Sequence, residues 1–313
     1  MGNNKLCAVG LGGQSVFLRV DHFHSPGETL HATAIYSEPG GKAYNQAVAA
    51  ARLGAEAVFI GAIGNDENGR DCENYLKQEG IFPCLMRVHN CGTAYASILT
   101  DQSGENRVTV YRGAADRLSE DYIYSCEQVI SDCSIMLLGL ETSLSAALAA
   151  LMLAERYHIQ TIFNPAPARR LDMSLLRRFN IITPNLQEAA VLFSLSDPTP
   201  KALCKALQSN GIKTAVVTLG GDGALLFSSG KGIHYPAVNC TPVDTTGAGD
   251  CFNGALAAAL LLGNNIENAV VFAMNAAALS VTKPHVMTAL PSAESVFSAM
   301  KANHLLSKPI LPD

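Results

Sequence analysis

The chain predicts an α/β fold, a doubly wound and mostly parallel sheet flanked by helices, and three observations carry that prediction. Short, nearly continuous apolar runs recur at 6–12, 57–64, 134–139, 160–164, 180–185 and 214–221. Helix-like stretches at 44–54, 143–157 and 201–211 separate them, and Gly- or Pro-containing turns follow several of the runs. Strands that are apolar on both faces belong to a parallel sheet buried on both sides, and the intervening helices supply the cover. At 313 residues the length suits one large domain, 1–313.

Two stretches depart from the rhythm. Residues 15–37 and 93–112 alternate as strands do, with a turn at DQSGEN (101–106) and no room for a crossover helix. They predict a small antiparallel sheet outside the main one, a lid suited to excluding water from a site.

Composition narrows the partners. With 48% hydrophobic and 16% charged residues the chain is globular. A net charge of -5 and a pI near 5.9 argue against nucleic acid, which requires a basic face, and point to small-molecule ligands. Nine cysteines without a CxxC pair read as reduced thiols. The longest apolar runs, 146–154 and 255–262, are too short to span a bilayer, and the first residues lack a signal-peptide pattern. The expectation is a cytoplasmic protein with no membrane partner and a loosely held tail at 307–313.

In open α/β sheets ligands bind beyond the carboxyl ends of strands, so the loops there carry the chemistry. In TPVDTTGAGDCFNG (241–254), Gly247, Ala248 and Gly249 open an apolar helix. Their N–H groups at its positive end suit an anion such as phosphate, and Asp250 adds a carboxylate, expected to stay ionised there, that can take a proton from a hydroxyl. The competing reading is an ordinary glycine turn with an acidic first turn.

GGKAYNQ (40–46) lacks the spacing and the Ser or Thr of a P-loop. It reads either as a plain turn into a helix or as a site where Gly41 permits close backbone approach and Asn45 offers an amide to a polyhydroxylated ligand. In TPNLQE (183–188), Asn185 and Glu188 suit a water-held Mg²⁺ or a simple helix start. VTLGGDGALL (217–226) is a nucleotide-edge loop or a hairpin. His22 and His24 share a strand face without an evident third metal ligand, and Cys251 reads as packing.

Taken in order, these pieces resemble the ribokinase branch of the PfkB carbohydrate kinase family. The matching residues are PGETL (26–30), GGKAYNQAVAAARLGAEAVFIGAIGND (40–66), LGLE (138–141), NPAPA (164–168), TPNLQE (183–188), VVTLGGDGAL (216–225), DTTGAGDCFNGAL (244–256) and AAALSVT (276–282). The resemblance implies ATP-dependent phosphorylation of a sugar hydroxymethyl group, with Asp250 as base and Gly247, Ala248, Gly249 and Asp250 as anion hole. It implies sugar contacts at Gly41, Asn45 and Glu141, a nucleotide site at Asn185, Thr218, Gly220 and Gly249, and magnesium held through water by Asn185 and Glu188. It also implies a lid that often dimerises, hence a homodimer.

Departures from the family pattern bear on substrate and ion. Gly13 and Ser15 stand where ribokinases carry Asn and Asp, and Ala43 and Tyr44 replace Gly-Ala. A hydrogen bond to a charged group is worth about 1.5–3 kcal/mol, so free ribose is expected to bind about ten- to a hundredfold more weakly, leaving room for a modified sugar or a nucleoside. The family's potassium site retains Asp244, yet His285 and Ala289 occupy its usual Gly and Ser, which leaves potassium dependence open. The opposing expectation is a sugar or nucleotide sensor on the same fold that does not turn over.

Overall fold

The computed structural model describes residues 5–302, so the 307–313 tail lies outside the described residues. Thirteen strands form two sheets among the described residues: β1 Lys5–Val9, β2 Gly13–Arg19, β3 Ala34–Gly40, β4 Glu56–Gly64, β5 Phe82–Val88, β6 Ala94–Thr100, β7 Asn106–Tyr111, β8 Ile135–Leu138, β9 Gln160–Phe163, β10 Ile181–Ile182, β11 Thr214–Thr218, β12 Ala224–Ser228 and β13 Lys231–Tyr235. The main sheet runs β13-β12-β11-β10-β9-β8-β1-β4-β5. All its pairs from β11 to β5 are parallel, and β12 and β13 add an antiparallel edge.

Alternation along the strands explains the two layers of helices. Leu6 and Ala8 of β1 face one core with the helices Lys42–Arg52, Ala248–Leu261 and Ile266–Ser280. Cys7 and Val9 face a second core with Leu144–Arg156, Leu186–Phe193 and Pro200–Ser209. Both sides of each central strand are therefore buried, which is why the strands read as unbroken apolar runs. Several helices start where side-chain oxygens take first-turn N–H groups: Ser143 accepts from Ala146, Thr199 from Ala202 ahead of Pro200, and Asn265 from Asn268.

From β1 the chain goes to β4 and β5 on one side, then crosses to β8 on the other. The order reverses between β1 and β8, and that switch point opens the crevice in which the site lies. Among the described residues no helix is long and apolar enough to cross a membrane.

The second sheet, β3-β2-β6-β7, is the one expected from residues 15–37 and 93–112. Its two antiparallel pairs, β2 with β3 and β6 with β7, join through the parallel pair β2–β6. Register puts Ser15 opposite Glu38 and Ala96, and Phe17 opposite Tyr36 and Ile98, so these side chains share the face turned to the crevice.

Candidate active site

The helix Ala248–Leu261 begins at Gly247, whose φ of 77° lies in the left-handed region. A Cβ on Gly247 would stand 2.7 Å from Val286 Cγ1, so both conformation and space demand glycine there. No side chain caps this helix. Ala248 N–H turns back to Thr245 O at 3.2 Å, which removes it from the anion hole expected at 247–250. A Cβ on Gly249 would meet nothing within 4 Å, so the first turn of this uncapped helix faces open space. That is the setting an anion requires.

Asp250 is 7% exposed and fixed from the helix Lys42–Arg52. Asn45 Nδ2 donates to Oδ2 at 2.8 Å, and Gln46 Nε2 to Oδ1 at 3.3 Å. Burial pushes the Asp250 carboxyl up from its ordinary value, opposed by Lys42 and by the bonds from Asn45 and Gln46. A raised carboxyl is a stronger base once ionised, which suits the proton acceptance expected of it.

The polar chain continues away from the pocket. Gln46 reaches Asn164 Oδ1 at 3.4 Å, Asn164 donates to Thr183 O at 2.9 Å, Thr183 Oγ1 to Asn253 Oδ1 at 2.5 Å, and Asn253 to Gly249 O at 2.8 Å. It locks the first turn of the Asp250 helix to the ends of β9 and β10.

Lys42 is the principal cation of the site. Asp250 first, then Glu141 and Glu188, hold its ammonium above the ordinary lysine value against burial. Glu141, in the loop after β8, accepts the Lys42 backbone N–H at 2.6 Å. Burial raises its carboxyl to about 7, with Lys42 and Arg112 opposing and Asp250 adding to the rise. A cavity of about 360 Å³ gathers Gly41, Lys42, Asn45, Glu141, Gly247 and Asp250 beneath Ser15, Phe17, Ile98, Val108 and Val110 of the second sheet. Two buried acceptors on residues lining it, Gln14 Oε1 and Asn45 Oδ1, have no hydrogen-bond partner. Buried acceptors are rarely left open, which sets these two atoms apart from the paired polar groups around them.

The nucleotide and magnesium candidates lie outside that cavity. Asn185 and Glu188 form a reciprocal capping box, Asn185 Oδ1 taking Glu188 N–H and Glu188 Oε2 taking Asn185 N–H, both at 2.8 Å. The plain helix-start reading is therefore realised, and Glu188 nonetheless faces the site closely enough to exchange charge effects with Lys42 and Asp250. Asn185 forms a parallel bridge with Thr218, which places the ends of β10 and β11 side by side. Gly220, at φ 61°, starts the tight turn that leads into β12.

Asp244 is held by the backbone: Oδ1 takes Thr246 N–H and Oδ2 takes His285 N–H, both at 2.9 Å. His285 has φ 65°, a left-handed conformation that favours glycine.

The departures from the family pattern divide into two kinds. Gly13 and Ser15 line the cavity, and a Cβ on Gly13 would lie 2.4 Å from Ala94 O, so this backbone leaves no place for an asparagine. Ala43 and Tyr44 point into the core: Tyr44 is fully buried, its hydroxyl donates to Cys72 O at 2.8 Å, and its ring meets Phe59 edge-on. Gly41, with φ 123°, lines the cavity, and a Cβ there would stand 2.2 Å from Leu11 O, so glycine is demanded. Sequence reasoning missed Lys42, Gln46, Arg112 and Gln14. The sequence signal for Lys42 is its position at a helix start between Gly41 and Asn45.

Residues 3–293 match the profile of the pfkB family carbohydrate kinases. The chain is 36% identical over 288 residues to a ribokinase of Haemophilus influenzae, covering 91% of this chain and 94% of that protein. The crystal structure of a Thermotoga maritima ribokinase superposes with a TM-score of 0.85 at 34% identity over 95% of this chain and 99% of the other. An Arabidopsis thaliana ribokinase complexed with ribose and ATP gives 0.86 at 26% identity over 96% and 99%.

Proposed function

We propose, for a chain that belongs to the pfkB family of carbohydrate kinases, that it transfers the γ-phosphoryl group of ATP to a hydroxymethyl group of a sugar or sugar-like acceptor, with Asp250 as general base. The observation that carries the reading is the buried Asp250, held by Asn45 and Gln46, between an uncapped helix N-terminus and a pocket with two unpartnered acceptors.

The acceptor hydroxyl lies against Asp250, which orients it and takes its proton. Lys42 and the N–H groups of Gly249 and Asp250 offset the charge that spreads over the transferring group. Asn45, Gln14 and Glu141 hold the other hydroxyls. The nucleotide lies along Thr218 and Gly220. Asn185 and Glu188 would hold a hydrated magnesium through its waters: the cap uses Asn185 Oδ1 and Glu188 Oε2, which leaves Glu188 Oε1 to accept from those waters, and the ion would supply charge neutralisation to the phosphates. Asp244 is the residue of interest for potassium; its two oxygens already take backbone N–H bonds, so turnover with and without potassium decides that question.

Free ribose is the poorer substrate in this reading, because Gly13 and Ser15 supply no charged partner. The apolar wall of Phe17, Ile98, Val108 and Val110 favours an acceptor with an apolar substituent, so nucleosides belong among the compounds tried. We place the protein in the cytoplasm on its free thiols. We also expect a homodimer through the second sheet, where Ile35 and Tyr111 stand exposed on the face opposite Ser15 and Phe17. Light scattering on the purified protein tests that state: a dimer mass supports it and a monomer mass removes it.

The function itself is tested by ADP formation from MgATP across pentoses, hexoses, sugar acids and nucleosides. Turnover that depends on one acceptor class supports the kinase. Thermal stabilisation by ligands without turnover shifts the reading to a sensor.

A further inference from the structure

The second sheet and the anion cradle meet at the segment 285–287. Three consecutive backbone N–H groups there are taken by carboxylates: His285 N by Asp244 Oδ2 at 2.9 Å, Val286 N by Glu38 Oε1 at 2.8 Å and Met287 N by Glu38 Oε2 at 3.0 Å. Glu38 belongs to β3 and is 4% exposed. Tyr36 donates to its Oε2 at 3.3 Å, and the Tyr36 ring stacks on His285 with centroids 3.8 Å apart. Arg52 steadies the segment from the core side, donating to Met287 O at 2.5 Å and Leu290 O at 3.0 Å.

A buried carboxylate is costly unless its lone pairs are satisfied, and apolar residues of similar volume often hold a structure as well. What Glu38 adds is direction, since it fixes two successive N–H groups and with them the side chain between. That side chain is Val286. It packs with Phe17 and Ile98 under the second sheet, lines the cavity, and stands against the Cα of Gly247. A shift of the segment therefore displaces either the pocket floor or the glycine that begins the Asp250 helix.

We propose that Glu38 is a positioning residue for phosphoryl transfer, setting through Val286 the place of Gly247 and so of the first-turn N–H groups beside Asp250. The inference rests on the kinase reading above, and it gives the second sheet a role in the phosphate end of the site as well as over the sugar.

The test is steady-state kinetics of Glu38→Gln, Val286→Ala and the double variant, with the acceptor that the wild type turns over. Glu38→Gln keeps the volume and one acceptor oxygen but turns an NH₂ group toward a backbone N–H. Its kcat should fall about tenfold to a hundredfold, the scale of an ångström-level misplacement, with acceptor KM little changed and the fold intact by circular dichroism. Val286→Ala should lower kcat likewise, and the double variant should be no worse than the poorer single, because both act through one contact. A wild-type kcat in a folded Glu38→Gln, or additive losses in the double variant, overturns the proposal. If Glu38→Gln does not fold, an unchanged kcat in Val286→Ala overturns it and a tenfold loss with unchanged KM supports it. A wild type that turns over no acceptor overturns the kinase reading and this inference with it, whereas turnover insensitive to these changes overturns the inference alone.

Discussion

Asn45 Nδ2 donates to Asp250 Oδ2 at 2.8 Å, so an amide 205 positions earlier in the chain sets the orientation of the candidate base. The bond joins the two helices that flank the switch-point crevice, and it favours the ionised carboxylate against the burial that disfavours it. Asn45→Ala removes that support. The Asp250 pKa should rise, so the acidic limb of kcat/KM, below which the base is protonated, should move to higher pH. At the pH optimum kcat/KM should fall about ten- to a hundredfold, the worth of a hydrogen bond to a charged group. A pH–rate profile checks both.

Gly247→Ala meets two obstacles, a φ of 77° and Val286 Cγ1 at 2.7 Å from the new Cβ. The variant should lose about 1–3 kcal/mol of stability in urea unfolding. Adding Val286→Ala should recover part of that loss by removing the contact, with the backbone strain left in place.

Glu141 titrates near 7 in the folded chain against an ordinary value of 4.5. The native state therefore binds more protons than the unfolded state between those values, and stability falls as pH rises through that window. Glu141→Gln should raise the melting temperature at pH 8 and leave it nearly unchanged at pH 4.5. Acceptor binding should weaken in the same variant, the usual exchange of stability for function at a binding site. Calorimetry at the two pH values is the check.

Ser15 and Glu38 are directly opposite across β2 and β3. Ser15→Asp sets two like charges face to face and should cost about 0.2–1 kcal/mol. The loss should largely vanish in a Glu38→Gln background, measured as a coupling energy in a double-mutant cycle.

Much of this architecture is legible in the sequence because central parallel strands are apolar on both sides. β1, β4, β8, β9 and β11 all announce themselves in that way, each within a few residues of its observed bounds. β5 and β13 do not. β5 contains Pro83 at a partly exposed sheet edge, and β13, KGIHY, is an exposed edge with little apolar content. β10 is only two residues long because Pro184 has no N–H to give to a ladder, although Thr183 N–H still bonds Phe163 O and Asn185 still bridges to Thr218 before it caps the next helix.

At the site, Asp250, Asn45 and Gly247 could be named because their loops carry unusual residues, whereas Glu141 could be named only through the family resemblance. The role of Glu38 was invisible, since its partners Val286 and Met287 are backbone groups about 250 positions away and no pattern marks them. Tyr44 misled in the opposite sense: it interrupts the sugar motif in sequence, while helical geometry turns it into the core.

The most direct test of the central claim is acceptor-dependent ADP formation by wild type and Asp250→Asn, with acceptor affinity measured in parallel. The account predicts a kcat loss of about a hundredfold or more with acceptor binding retained, because the base acts in the transition state. Wild-type turnover in Asp250→Asn contradicts it.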